Sequence, residues 1–351
     1  MNLNFSLANS VEDFSRNSFE SLGGTAAVTD CYGRLKQIEK DPRWRVAYLE
    51  GSASGELVCA TPLFACQTSR WPNPDLFEGS NPIATDTLVV GSTAAHRTTL
   101  YVDPERTDPR AYAHQVFSFV RDTDRTTVAF PFQESAAASW LNFAFESRIT
   151  WVETEPTAMY ESLDAPNTKQ VRKYLRRDSR LLDDMSIEYS VNDWQDVARR
   201  ASTMIAGHAR AKGGRDVPEL AEWRFDQWAK CEGVRVVVFQ SKSLAAEAVS
   251  VGLIHGSALT LSEVGLPDPS ECGEGERLAL YVAVVSQAPQ EFARQNSLIS
   301  IDVGRGAIDF KKRRGATVTR TWTGIVSLPG LTTLESNDQR TTQKKDEVRT
   351  R

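Results

Sequence analysis

The chain has 351 residues, enough for two domains, with 40% apolar and 25% charged residues and a formal net charge of −5. That balance excludes the global basic field of a dedicated nucleic-acid binder, so any polyanion site must be a local patch. Five widely spaced cysteines and four scattered histidines contain no Cys-x-x-Cys pair. No metal site is therefore expected, and reduced thiols in the cytoplasm are the default.

Met1 to Asp13 lacks the basic and apolar regions of a signal peptide, and no apolar run is long enough to cross a bilayer. A polar start leads into helical spacing from Thr25 to Lys40. Trp44–Leu49 and Leu57–Cys66 are expected strands around the turn Gly51–Gly55. Gln67–Thr85 holds Pro72, Pro74 and Pro82 and is expected to be a long loop. Strands at Thr87–Val90, Thr127–Phe132 and Arg148–Thr154 alternate with helices at Arg110–Asp122 and Glu134–Phe145.

Thr157–Leu163 reads as extended. Asn167 or Thr168 can cap a basic helix running to about Leu182. A strand at Met185–Tyr189 precedes helices at Trp194–Ala211 and Leu220–Lys230. Three strands follow, Val234–Gln240, Ala245–Ile254 and Ala258–Val264, then a long helix, Glu276–Gln295. Short strands at Leu298–Ile301 and Thr317–Val326 flank the basic turn Asp302–Gly315. The two halves repeat in element order and not in residues. The expectation is residues 1–160 as a first unit, 161–330 as a second, and 331–351 as a polar, disordered tail.

Two stretches carry excess cationic charge. Lys169, Arg172, Lys173, Arg176 and Arg180 recur at helical spacing, with Arg177 widening the stripe. Val171 and Leu175 are placed to anchor the opposite face. Lys311, Lys312, Arg313 and Arg314 form the second cluster, after the tight turn Gly304-Arg305-Gly306. Such clusters are either phosphate contacts or solvated faces. Glu263, near a strand end, and Asp302, ending the next parallel strand, could each position or deprotonate an amine; they equally suit an edge-strand carboxylate and a turn cap. His255 reads as a structural histidine, and His96 has no assigned chemistry. No Gly-x-Ser-x-Gly elbow, Walker loop or His-Glu-x-x-His is present, which disfavours serine hydrolysis, P-loop phosphotransfer and zincin chemistry.

Phe310, Lys311 and Gly315 match the Phe-Lys-x-x-Phe-Gly segment of Fem-type peptidyltransferases, with Arg314 at the second Phe. Asp302, Gly304, Arg305 and Gly306 look like the Asp-x-Gly-Arg-Gly of related double-unit GNAT acyltransferases. The helix Lys169–Arg180 is similar to the one opening the second GNAT unit in these families. The resemblance spans about residues 20 to 328. It implies an α/β protein of two tandem GNAT-like units, each a mixed sheet flanked by helices. It also implies an N-acyltransferase with aminoacyl-tRNA as donor, a small-molecule or peptide amine as acceptor, and no tightly bound cofactor. By the resemblance Lys311 serves the donor's anionic end, with Lys312, Arg313 and Arg314 auxiliary. An acyl-CoA donor remains open, as does a catalytically silent module that binds RNA or protein. In GNAT units a Gly-rich turn at a helix start holds the coenzyme A pyrophosphate. Gly273 and Gly275 stand at that place, but Glu271, Glu274 and Glu276 repel phosphate. Oligomeric state, amino acid, acceptor and pathway leave no mark in the sequence.

Overall fold

The computed structural model describes residues 3–22, 28–67, 87–92, 95–98, 100–103, 105–161, 163 and 168–328. The expected Pro-rich loop, from residue 68, and the expected tail lie outside the described residues. The first half of the chain forms β1 (Leu3–Ala8), α1 (Arg16–Leu22), α2 (Tyr32–Ile38), β2 (Trp44–Ala53), β3 (Glu56–Cys66), β4 (Thr87–Val90), α3 (Pro109–Arg121), β5 (Thr127–Glu134), α4 (Ser135–Ala144) and β6 (Thr150–Tyr160). The second half forms α5 (Lys169–Asp184), β7 (Glu188–Asp193), α6 (Trp194–Ala211), α7 (Pro218–Ala229), β8 (Val234–Lys242), β9 (Glu247–His255), β10 (Ala258–Gly265), α8 (Glu274–Val282), α9 (Ala288–Gln295), β11 (Ser300–Gly304), α10 (Ile308–Arg313) and β12 (Thr317–Ser327).

The chain divides into two compact units, one of residues 1–24, 38–154 and 321–351 and the other of residues 25–37 and 155–320. The first ladder runs β1-β2-β3-β4-β5-β12, and the second runs β7-β8-β9-β10-β11-β6. In each, the fourth and fifth strands are parallel and the other neighbours antiparallel. The sixth strand of each ladder comes from the other half of the sequence, so neither unit is one contiguous block. Both are α/β units with a mixed sheet and flanking helices.

Ordinary local chemistry builds these elements. The Asp108 side chain accepts from Arg110 N, Pro109 opens α3, and Tyr112, Ala113, Val116 and Val120 line its buried face. Tyr112 Oη donates to Leu49 O and accepts from Thr61 N in the first core. In the second unit, Val236–Phe239 is buried on both faces, under α6 and α7 on one side and the long α8–α9 segment on the other.

Four expectations change. Leu3–Ala8 pairs with β2 as a strand and is not a polar lead-in. Within Thr25–Lys40, a 3₁₀ turn at Val28–Asp30 and α2 account for the described part, in place of one helix. The two extended segments around Pro156 are one strand, β6; its pairing with β11 stops at Ala158, so on that side no ladder bond is asked of Pro156. The helix expected at Glu276–Gln295 is interrupted by a π turn at Ala283–Gln287. Pro289 has no N–H to return to that turn, and Ser250 Oγ donates to Val284 O at 2.6 Å instead.

One glycine fixes how closely α6 approaches its sheet. A Cβ on Gly265 would stand 2.8 Å from Ile205 N and Met204 C, both backbone atoms of α6. Backbone cannot rotate away as a side chain can. Gly265→Val should therefore cost about 1–3 kcal/mol in urea unfolding. Unchanged stability would mean that α6 is not seated this closely.

Candidate active site

In the second unit β10 and β11 pair in parallel at only three positions, Ala258↔Ser300, Leu259↔Ile301 and Thr260↔Asp302. Beyond them a register shift between Leu261 and Glu263 bends β10 along β9. β10 then runs on to Gly265 and β11 to Gly304 without pairing with each other. The two strands part at their C-terminal ends and leave backbone groups open between them.

The first unit starts the same way. β4 and β5 also share three parallel pairs, Thr87↔Thr127, Leu88↔Val128 and Val89↔Ala129. There the gap is closed by the chain itself. Thr98 N donates to Phe132 O at 2.7 Å, and Thr98 O accepts from Glu134 N at 3.1 Å. Only in the second unit is the parted pair left open among the described residues.

The turn after β11 is tightly wound. Gly304, Gly306 and Ala307 have φ of 67°, 75° and 47°, a region that glycine enters freely and alanine does not. Asp302 Oδ1 accepts from Gly304 N at 2.8 Å, so Asp302 orders the turn. Lys311 lies beneath it, 3% exposed. Its Nζ donates to Gly304 O at 3.1 Å and Arg305 O at 2.7 Å. The sequence leads one to expect Lys311 at the donor; its ammonium instead faces the carbonyls of the turn. Burial lowers its pKa to about 8, against the pull of Asp302 and Glu155.

Arg314, which stands where the Fem-type pattern has Phe, is also buried. Its Nε and Nη2 donate to the two carboxylate oxygens of Asp178 at 2.7 Å each, and Nη1 donates to Phe310 O. The guanidinium lies 3.4 Å over the Phe310 ring. Asp178 sits one helical turn beyond Leu175 on the inward face of α5, capped at its start by Thr168. This bidentate pair fastens α10 to α5. It brings both basic clusters into one region. Lys169, Arg172, Lys173, Arg176, Arg177 and Arg180 on α5, with Lys312 and Arg313 on α10, are all exposed. None is in an ion pair among the described residues.

Glu263 lies on the parted stretch of β10. Arg224 on α7 approaches it with Nε and Nη2 at 2.8 Å each, while Nη2 also donates to Asp216 Oδ2 at 2.8 Å. Burial raises the Glu263 pKa, and Arg224 opposes the rise. Asp216 and Arg224 escaped the sequence reading, because only the fold brings the α6–α7 turn to β10. His208 was missed as well. Burial, with Lys212 and Arg277 nearby, lowers its pKa to about 4, so the imidazole is neutral at pH 7. At the start of α8, a Cβ on Gly273 would meet nothing within 4 Å, and one on Gly275 only Met185 Cε at 3.3 Å. Neither glycine is demanded by packing. Glu271 Oε2 accepts from Asp268 N and serves the preceding turn.

No family profile and no curated protein matches the chain. Solved structures do. FemX superposes with a TM-score of 0.59 at 8% identity, over 92% of this chain and 98% of that one. A tandem GNAT protein from the clavulanic acid biosynthesis pathway gives 0.54 at 13%, over 93% and 99%. The C-terminal DUF2156 domain of a putative lysylphosphatidylglycerol synthetase from Agrobacterium fabrum gives 0.52 at 11%, over 89% and 92%. The chain has the tandem GNAT fold. At these identities the likeness is one of fold.

Within this GNAT fold, the open strand pair, the wound turn and the basic face all belong to the second unit. Among the described residues no helix is long and apolar enough to cross a membrane, and no cluster of three or more His, Cys, Asp or Glu is placed to hold a metal.

Two measurements check these anchors. Between about pH 8 and 10.5 the unfolded chain keeps a proton on Lys311 that the folded chain has released. Stability therefore rises with pH across that window. Relative to Lys311→Met, the wild type should gain up to about 1.4 kcal/mol per pH unit there; a flat difference would contradict the buried ammonium. Asp178→Ala leaves Arg314 buried without its counter-charge and should cost about 3–5 kcal/mol. The double variant Asp178→Leu/Arg314→Phe, which restores the Fem-type Phe, should recover most of that loss.

Proposed function

We propose that the protein is an amide-forming acyltransferase that moves an aminoacyl group from aminoacyl-tRNA to an amine on a small molecule or peptide. The observation that carries this reading is the unpaired cationic face of α5 and α10. The cations from Lys169 to Arg180 give a rail of about 18 Å at 1.5 Å per residue, long enough for successive phosphates of a nucleic-acid backbone. Coenzyme A would use only part of it. Phosphate contacts of this kind set affinity without reading sequence, which suits a carrier recognised by its backbone. The names of two fold relatives, FemX and a putative lysylphosphatidylglycerol synthetase, are consistent with aminoacyl transfer.

In this reading the amine attacks the ester carbonyl in the parted strand pair. The new C–N bond forms, the ester C–O bond to the ribose breaks, and the amine proton passes to Glu263 and on to the leaving hydroxyl. Glu263 is preferred to Asp302 as base because burial raises its pKa in spite of Arg224, while Asp302 orders the turn through Gly304 N. Arg224 and Asp216 position the Glu263 carboxylate. Lys311 acts through the turn that it holds.

A second reading, an acyl-CoA donor, is favoured by the start of α8. Its N-cap Gly273 provides no side-chain hydrogen bond and has open space around it, so backbone N–H groups are available to a pyrophosphate.

Transfer to a panel of amines, with charged tRNA or acyl-CoA as donor and with or without RNase, separates the two. RNase-sensitive product supports the proposal. RNase-resistant product from acyl-CoA overturns it, and tRNA binding without turnover from either donor favours a silent module. Glu263→Gln should lower kcat about a hundredfold or more. The triple variant Arg172→Ala/Arg176→Ala/Arg180→Ala should flatten the log–log salt dependence of tRNA binding by about 2–3 units. An unchanged slope would remove α5 from the interface.

A further inference from the structure

A groove of about 990 Å³ opens in the second unit along α6, the β8–β9 turn and the segment after β10. Its lining includes none of Glu263, Asp302 or Lys311, so it is separate from the candidate reaction site. Its volume is that of a small-molecule site.

Most of the charge around it is already committed. Arg199 bonds Glu219 and Glu222, and Arg200 bonds Glu247. Asp268 Oδ1 accepts from Ser270, and Glu271 Oε2 from Asp268 N. Two cations are left over. The side chains of Arg210 on α6 and Lys242 at the end of β8 make no hydrogen bond or ion pair among the described residues. Lys242 pairs with neither of its ladder neighbours, Glu188 and Glu247.

Part of the groove's lining is apolar and low. Met204, Leu266 and Pro267 contribute hydrocarbon surface. Gly207 lies in the middle of α6, where glycine costs a helix about 1 kcal/mol relative to alanine. A Cβ there would meet nothing within 4 Å, so no neighbouring group in the protein requires the glycine. The space above Gly207 is groove. At the rim, Leu244 is fully exposed on the β8–β9 turn, an apolar side chain in water with no packing role in the fold.

We propose that this groove binds a small organic anion, an apolar body carrying one carboxylate or phosphate. The body lies over Gly207 between Met204, Leu266 and Leu244, and the anionic head meets Arg210 and Lys242. This site stands independently of the aminoacyl-transfer reading.

Titration calorimetry of the full chain at fixed ionic strength tests it with phenyl phosphate, phenylacetate, inorganic phosphate and benzyl alcohol. One or both phenyl anions should bind with 1:1 stoichiometry, at least tenfold tighter than inorganic phosphate or benzyl alcohol. The tighter of the two names the head group. Arg210→Ala and Lys242→Ala should each weaken that binding tenfold or more. Gly207→Leu should abolish it by filling the groove, while Lys312→Ala on the distant basic face leaves it unchanged. All these positions are partly or fully exposed, so the variants fold. Absence of millimolar binding by both phenyl anions, equal binding of benzyl alcohol, or affinity indifferent to these three groove substitutions would overturn the proposal.

Discussion

The bidentate pair between Arg314 and Asp178 is the constraint on which the functional half of this molecule depends. Both partners are buried, so each is tolerable only because of the other. Their geometry sets where α10 lies against α5. That placement carries two consequences at once. It gathers the two exposed cationic stretches into one region, and it holds the end of the segment whose start is the wound turn after β11. Lys311, three residues before Arg314, closes the same segment from inside through two backbone carbonyls. Exposed and buried cations thus divide the labour along one short helix. Lys312 and Arg313 face water, while Lys311 and Arg314 build the platform that presents them.

The two units show how one fold can be kept and its cleft lost. Both ladders have the same order and the same three parallel pairs between the fourth and fifth strands. In the first unit Thr98 supplies the next rung, its N–H and C=O satisfying Phe132 and Glu134. A backbone gap closed in this way has no hydrogen-bonding groups to offer an extended ligand. In the second unit a bulge in β10 turns the strand away from β11, and no segment among the described residues takes the rung. The difference lies in backbone pairing, which explains why residue similarity between the halves is so faint.

Much of this was legible in the sequence, and the misses have identifiable causes. The second sheet was readable because Val234–Phe239 and Val249–Leu253 are dense apolar runs bounded by turn residues. The cationic stripe on α5 was readable because helical spacing puts its charges on one side. Leu3–Ala8 was legible and overlooked: Leu3, Phe5 and Leu7 alternate with Asn4 and Ser6, the period of a strand, in a segment read only for its polar content. The π turn was missed because Pro289 reads as a helix break only once Ser250 is known to cap the carbonyl it abandons. In the run Lys311–Arg314 the sequence reading set Lys311 apart from Lys312, Arg313 and Arg314, and did not foresee that Arg314 turns inward. On a helix, residues three apart share a face, so Lys311 and Arg314 point inward together when Lys312 and Arg313 point out. Asp178, the one acid between Lys169 and Arg180 and in phase with Val171, Leu175 and Leu182, was the available sign that a buried cation would meet it. The Arg224–Asp216–Glu263 cluster had no such sign, since its members come from a turn, a helix and a strand with no shared period.

The same residues explain how a chain with net charge −5 can present a polyanion site. Over the molecule as a whole acids outnumber bases, but the sum says nothing about distribution within a Debye length of about 8–10 Å. Elsewhere in the second unit four arginines are matched, Arg199 with Glu219 and Glu222, Arg200 with Glu247, Arg224 with Asp216 and Glu263, and Arg235 with Asp193, while Arg210 is not. On α5 the aspartate inside the cationic stretch, Asp178, is turned inward and spent on Arg314, while the exposed Asp183 and Asp184 stand past that stretch at the end of the helix. Burying that carboxylate removes the acid from within the stretch Lys169–Arg180 and leaves the surface acids of the helix at its C-terminal end, at Asp183 and Asp184. The ion pair that positions α10 is therefore also what keeps the basic face basic, and replacing it by an apolar contact could preserve the fold and that field together. An aspartate moved to an outward position of α5 would do the opposite, leaving the helix in place while lowering the field that draws in a phosphate backbone.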